Sequence, residues 1–377
     1  MIYLDNAATS FPKPKDTIES LNHFVTSIGG NPGRGGHPLS VEAARSVFEC
    51  REKLAELIGA SSSERVIFTL NGTDSLNLAM RGLLNHGDHV ITTMMEHNSV
   101  MRPLTFLQKS QFVRVSMVRC SPQGFIDLDH LRNSLTTRTK AVVINHGSNV
   151  TGTVQPLNKI REAVGSRLLI VDACQTVGNM PIDVEGQAID VLCFSCHKAL
   201  FGTQGVGALY IRTGVEPTPL RWGGTGSNSE SIEQPDMLPD KYECGTPNSP
   251  GIAALFGGLT FIEKEGLGSI MARKRALRNR LIEGLVRLKG VTVYTGPEDP
   301  TVLPVVSANM AGVSPSEIGY ECNQAGICVR VGLHCSPLAH QTIGTFPGGA
   351  VRMSPGYYNS EDDIDQVVEV FHRFERR

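Results

Sequence analysis

Short apolar runs rich in valine and isoleucine recur through the first two-thirds of this chain, and segments with helical spacing fall between them. Val66-Ile67-Phe68-Thr69-Leu70 reads as a buried strand, and Thr73 opens a helix that reaches Leu84. Strands are predicted again at 89–93, 112–115 and 141–144, in the runs ending at Asp172 and near Phe194, and at 206–211. Helices are predicted at 99–108, 128–135 and 157–164. Strands apolar on both faces need cover on both faces, and the alternating helices supply it. The pattern therefore confines the chain to an α/β fold with a mostly parallel sheet.

After about residue 255 the alternation gives way to an α+β pattern. A long amphipathic helix is predicted over 268–288, and its basic residues Arg273, Lys274, Arg275, Arg278 and Arg280 read as solvated surface. Strands are predicted at 291–294, 305–308 and 327–331. Ser314 reads as an N-cap with Pro315 at the first helical position, and a helix with an acidic start spans 360–376. The stretch 223–239 reads as a loop. The expected organisation is a large unit over 13–256 and a smaller one assembled from 1–12 and 257–377.

Charge narrows the partners. Charged residues make up 19% of the chain and the net charge is -2, which gives no electrostatic case for nucleic acid or an anionic membrane surface. No apolar run reaches the roughly 18 residues of a spanning helix, and the start shows no signal-peptide pattern. Nine cysteines without framework spacing suit free thiols in a reducing, cytoplasmic compartment. Cys193 and Cys196 form a CxxC with no second pair, and in an extended segment they point to opposite faces, which speaks against structural zinc.

Several polar residues fall just beyond the predicted strand ends: Thr73, His97, Asn149, Asp172 and Lys198. Taken singly each has a bland reading: a turn, a loop histidine, a surface lysine. Together they occupy the edge of an open α/β sheet where ligands bind. A lysine able to form a Schiff base, an aspartate for a pyridinium nitrogen and a helix N-terminus for a phosphate are what a pyridoxal 5′-phosphate enzyme needs. Gln175 lies three residues after Asp172, within reach of the same ring if a helix begins there.

The motifs Tyr3-Leu4-Asp5-Asn6-Ala7-Ala8, Arg34-Gly35-Gly36-His37, Glu96-His97-Asn98, Ser148-Asn149-Val150-Thr151-Gly152, Val171-Asp172-Ala173-Cys174-Gln175, Ser195-Cys196-His197-Lys198, Gly245-Thr246-Pro247-Asn248, Arg330-Val331-Gly332-Leu333-His334-Cys335 and Val351-Arg352-Met353-Ser354 run nearly end to end. Through them the chain resembles the class V, fold-type I pyridoxal-phosphate enzymes, and group II cysteine desulfurases in particular. The resemblance implies a seven-stranded, mostly parallel sheet in the large domain and a smaller α+β domain carrying a catalytic cysteine loop. It also implies roles. Lys198 matches the cofactor-linked lysine, Asp172 the partner of the pyridinium nitrogen, Gln175 the ring-oxygen contact, and His97 the stacking and proton-handling ring. Thr73, Ser195 and His197 match phosphate contacts. Thr246 matches a threonine reaching the neighbouring subunit's cofactor, which implies a homodimer. Asn149 and Arg352 match a substrate-carboxylate clamp, with Arg330 and Arg34 also near the substrate. Cys335 matches the nucleophile, its thiolate favoured by Arg330 and His334.

The implied reaction converts L-cysteine to L-alanine and leaves a persulfide on Cys335 for a sulfur-acceptor protein. Selenocysteine lyase chemistry is an alternative with the same residues. A class V aminotransferase or epimerase that does not use Cys335, and a non-catalytic cofactor-binding scaffold, are others. The chain departs from the group II pattern at Gly33 and Leu333, each where a histidine is usual, and at Phe201-Gly202-Thr203-Gln204-Gly205 in place of a Gly-Pro turn. It also looks somewhat shorter than typical members.

Overall fold

The computed structural model describes residues 1–33, 35–294 and 302–375. Its centre is a seven-stranded sheet in the spatial order Val66–Thr69, Gly207–Ile211, Val191–Ser195, Leu168–Asp172, Thr139–Asn145, His89–Thr93, Arg114–Val118. All neighbours pair in parallel except Gly207–Ile211, which runs antiparallel to both of its partners. Alternate side chains of one strand enter opposite cores. Leu192, Phe194 and Cys196 join the cluster that contains Leu54 and Leu255, whereas Val191 and Cys193 join the one that contains Leu76 and Leu104. The two cysteines of the CxxC are thus buried on opposite sides of the sheet, and all nine cysteines are free. Among the described residues no helix is long and apolar enough to cross a membrane.

The strand predicted to start at Phe112 begins instead at Arg114. Phe112 has φ +55° and is exposed, so it turns the chain into the strand rather than belonging to it. The helix Ser249–Glu265 runs unbroken through the expected boundary at 256/257. Its Leu259, Phe261 and Ile262 lie in the core of the large sheet.

A second core gathers Leu277, Leu281 and Leu285 of helix Leu267–Val286 with Val351, Met353, Val367 and Phe371, and Ile2 and Leu4 from the N-terminus enter it. Its sheet is antiparallel, in the order Arg330–Gly332, Ala350–Met353, Val306–Met310, Val291–Val293. The single strand predicted over 327–331 is divided in two. Ile327–Cys328 pairs in parallel with Ile2–Tyr3, and Arg330–Gly332 crosses to the antiparallel sheet. The predicted N-cap is present, with Ser314 accepting from the Glu317 N–H at 3.2 Å.

The basic helix is not simply a solvated face. Lys274 and Arg278 are buried; Lys274 donates to Asn179 Oδ1 at 3.0 Å and lies over the Phe201 ring. Arg280 pairs with Glu361 and Asp365 of the C-terminal helix. A charge pattern cannot reveal such packing, because long basic stems can be buried wherever their tips find acceptors.

Candidate active site

Thr73, His97 and Asn149 each lie four residues beyond the end of a strand, and Lys198 lies three beyond another. Parallel strands bring those ends to one rim, where a cavity of about 120 Å³ opens. Thr73, His97, Asn149, Asp172, Gln175, Ser195, His197 and Lys198 all line it, as expected from the sequence.

The helix that presents Thr73 starts at Gly72 and is capped by Asn71, whose side chain accepts from the Asp74 N–H at 3.0 Å. A Cβ at Gly72 would fall 2.3 Å from Cys174 Sγ, so only glycine lets this helix end approach the Asp172 segment. Thr73 Oγ1 meets Ser99 Oγ at 2.8 Å, and the Ser99 N–H donates to His97 Nδ1 at 3.1 Å. His97 Nδ1 is therefore an acceptor, and the ring proton of the neutral form sits on Nε2. Burial holds the His97 pKa down near 4, although Asp172 pulls it the other way, so the ring is uncharged at neutral pH.

Asp172 is buried at the end of its strand, with Oδ1 accepting from the Cys174 N–H at 3.0 Å. Gln175 Nε2 donates to Ala7 O at 3.0 Å. Behind the rim, buried Glu96 accepts from Thr93 Oγ1 at 2.7 Å and from the Asn145 N–H at 3.0 Å. Burial raises its pKa to about 8, so it is a neutral carboxylic acid at pH 7.

Ser195 Oγ and His197 Nδ1 are buried on this cavity without a hydrogen-bond partner. Each orphaned group costs about 1–3 kcal/mol. Two of them beside Thr73 and a helix N-terminus fit a phosphate, while an aspartate and a lysine across the same cavity fit the ring of pyridoxal phosphate. The donor set around the cavity thus matches that cofactor. Among the described residues no cluster of His, Cys, Asp or Glu is disposed to hold a metal ion.

Cys335 comes from the second unit and is exposed on the loop after Arg330–Gly332. Its carbonyl accepts from the Asn98 N–H at 2.8 Å, directly after His97. Asn149 Nδ2 donates to His334 O at 2.9 Å, and Ser336 Oγ donates to Asn149 Oδ1 at 2.9 Å. Asn149, expected to clamp a substrate carboxylate, thus has both ends of its amide engaged by the Cys335 loop. The backbone at His334 and Cys335 is left-handed, with φ +50° and +59°. Non-glycine residues in that region cost on the order of 1 kcal/mol or more each, and they persist where surrounding bonds over-determine them.

One expectation is corrected. Burial, with Arg352, His340 and Arg330 adding to it, drives the His334 pKa to about 2. His334 is neutral and lends the thiol no positive charge. The Arg330 guanidinium lies against the thiol, with Nη2 3.7 Å from Cys335 Sγ.

Arg352 is almost wholly buried. Nη2 pairs with Asp5 at 2.6 Å, Nη1 donates to Asn149 O at 3.2 Å, and Nε has no partner. The sequence reading missed Asp5 here, as it missed Ser99 and Glu96. Asp5 lay within a quoted motif, but nothing in its spacing ties residue 5 to residue 352. Thr246 is not on this rim. It lines a separate cavity of about 550 Å³, together with Gly33, that shares no lining residue with the first. Arg34 lies outside the described residues.

The aminotransferase class-V family model matches residues 2–367. A probable cysteine desulfurase of Synechocystis is 32% identical over 381 residues, covering 98% of this chain and 90% of the relative. One of Vibrio cholerae is 29% identical over 384 residues, covering 99% and 93%. Among solved structures, the apo cysteine desulfurase of Thermococcus onnurineus NA1 matches with a TM-score of 0.92 at 31% identity, over 100% of this chain and 94% of that one. The Escherichia coli cysteine desulfurase CsdA, in an S-sulfonic acid form, matches with a TM-score of 0.88 at 26% identity, over 98% and 94%.

Proposed function

This chain belongs to the aminotransferase class-V family, and on that premise we propose that it is a pyridoxal-phosphate-dependent cysteine desulfurase that converts L-cysteine to L-alanine. The observation that carries the reading is the tethering of the Cys335 loop to the Lys198 rim through Asn98 and Asn149. A thiol from the small unit is thereby held beside a cavity whose residues suit the cofactor.

Thr73, Ser195 and His197 hold the phosphate, Asp172 the ring nitrogen and Gln175 the ring oxygen, and neutral His97 covers the ring. Pyridoxal phosphate bound there supplies an electron sink for negative charge at the amino acid's Cα. Lys198 would anchor the cofactor, and its amine would take the substrate's Cα proton and later return it. Arg352 orients the substrate carboxylate with its planar fork, and the unpartnered Nε supports that role. Cys335, with the Arg330 guanidinium 3.7 Å from its Sγ, attacks the substrate sulfur as the nucleophile. The S–S bond forms as the Cβ–S bond breaks, the electron pair left on Cβ takes up a proton, the proton lost from Cα is restored, and alanine leaves. The persulfide remains on Cys335, whose exposure suits delivery to an acceptor protein.

Thr246 serves the partner subunit's cofactor in a homodimer, and its absence from the lining of this chain's own rim cavity supports that reading. Nine free cysteines support a cytoplasmic setting. Mass spectrometry of the holoenzyme after incubation with L-cysteine tests the function. A 32-Da sulfur adduct (about the mass of one sulfur atom) on Cys335 with stoichiometric alanine is expected, and unmodified Cys335 in cofactor-loaded protein sinks the desulfurase reading. Equal turnover by Cys335→Ala on selenocysteine but none on cysteine redirects it to selenium.

A further inference from the structure

We propose that His340, acting through His334 and anchored by Thr345, is a positioning residue that sets the placement of Cys335. The inference rests on the reading of Cys335 as the nucleophile.

His334 and His340 are buried at 3% and 0% exposure, and Thr345 at 7%. None of the three lines the cofactor cavity. Their hydrogen bonds can be read in only one direction. His334 Nε2 lies 3.3 Å from Arg330 O, and a carbonyl can only accept, so the His334 proton is on Nε2. His334 Nδ1, 3.1 Å from His340 Nε2, must then accept, which puts the His340 proton on Nε2. His340 Nδ1 is left to accept from Thr345 Oγ1 at 2.7 Å. The chain Thr345, His340, His334, Arg330 is therefore a directed relay. It ends on the residue whose guanidinium meets Cys335 Sγ.

The relay also has a mechanical task. His334 and Cys335 are consecutive left-handed residues, and their carbonyls are held from the other side by Asn149 and Asn98. Those bonds fix the backbone but do not reach the His334 ring. Arg330 O holds one edge of that ring and His340 the other, and the turn that carries His340 is closed by the Thr345 and Phe346 N–H groups, which donate to His340 O at 2.8 and 3.1 Å. The thiol thus sits at the end of a loop gripped on both faces, although it is itself exposed.

The test compares breaking and conservative variants of the holoenzyme. Thr345→Val removes one hydroxyl at nearly constant volume, and His340→Phe removes both ring nitrogens. Thr345→Ser restores the hydroxyl, and His340→Gln restores a donor toward His334. The readouts are kcat and KM for L-cysteine, the cofactor absorbance, and the rate of Cys335 alkylation by iodoacetamide. The breaking variants are expected to lose about tenfold to a hundredfold in kcat, the scale of a small misplacement of a reacting group, with KM and absorbance unchanged. Their alkylation rate shifts, and the conservative variants recover both readouts. Wild-type kcat and alkylation in Thr345→Val overturn the relay, as does a His340→Gln no better than His340→Phe. Should His340→Phe fail to fold, the Thr345 pair decides alone. Alkylation needs no turnover. If wild-type protein forms no persulfide while alkylation still follows the variants, the desulfurase reading falls and the relay stands.

Discussion

The sheet rim and the Cys335 loop, joined in the proposed reaction, are built in opposite ways. The rim buries Asn149, Asp172, Gln175 and Ser195, and its backbone is fixed by strands and a capped helix. It carries unpartnered polar atoms at Ser195 and His197 that wait for a ligand. The loop is exposed at its sulfur and left-handed in its backbone, and it is held by a handful of side-chain bonds. The strain and the satisfied bonds lie on the loop, while the unsatisfied groups lie on the rim. General amino-acid chemistry would reside in the rigid part and sulfur chemistry in the tethered part, so the two should be separable by substitution.

Lys198→Ala should have the largest effect, because it acts on the rim itself. Loss of the lysine-linked cofactor absorbance is expected, together with a fall of about 10²- to 10⁴-fold in turnover, the range for a positioned proton-transfer group. An unchanged spectrum would show that the cofactor is held elsewhere. Cys335→Ala should abolish persulfide formation and alanine release from cysteine while leaving that absorbance intact. Should the absorbance vanish as well, the loop helps to build the cofactor site and the separation fails.

Between these extremes stands Asn149, which touches both regions. Asn149→Ala removes two bonds to the loop, leaving the His334 carbonyl and the Ser336 hydroxyl without partners. The buried pair costs about 1–3 kcal/mol per group. A fall of roughly tenfold in kcat and a Tm lower by a few degrees are expected, read by steady-state kinetics and thermal melts. An increase in KM alone would return Asn149 to the carboxylate clamp.

The rim was legible in the sequence because strand ends are legible. An apolar run stops, a polar residue follows a few positions later, and parallel pairing brings such residues together. The loop's support was not legible. Nothing in local spacing links residue 149 to 334 and 336, residue 5 to 352, or residue 345 through 340 to 334. The neutrality of His334 also escaped the sequence, because its cause is burial among Arg330, Arg352 and His340 rather than a neighbour in the chain. The divided strand at 327–331 was hidden for a related reason. An apolar run records that a segment is buried, but not that it changes sheets midway.

The smallest expected effect separates the regions by sign. The loop holds His340 neutral, its pKa lowered by burial to about 4, and His334 lower still. The rim and the segment behind it hold His97, His146 and His197 near 4 in the same way, but also keep Glu96 protonated up to about 8. Below the unfolded histidine value of about 6.5 the unfolded chain gains protons that the folded histidines refuse, so each histidine subtracts stability as the pH falls toward 4. Glu96 works oppositely. Above its unfolded value the unfolded chain loses a proton that the folded protein keeps, so its contribution recovers as the pH falls. Five histidines against one carboxyl make Tm fall between pH 6.5 and 4.5. His340→Gln should flatten that fall and Glu96→Gln should steepen it, each by at most about 1.4 kcal/mol per pH unit. Thermal melts across the window read both slopes. Equal slopes in the two variants would mean that neither group differs in protonation between the folded and unfolded chain, and the contrast between a neutral loop histidine and a protonated carboxyl behind the rim would go with it.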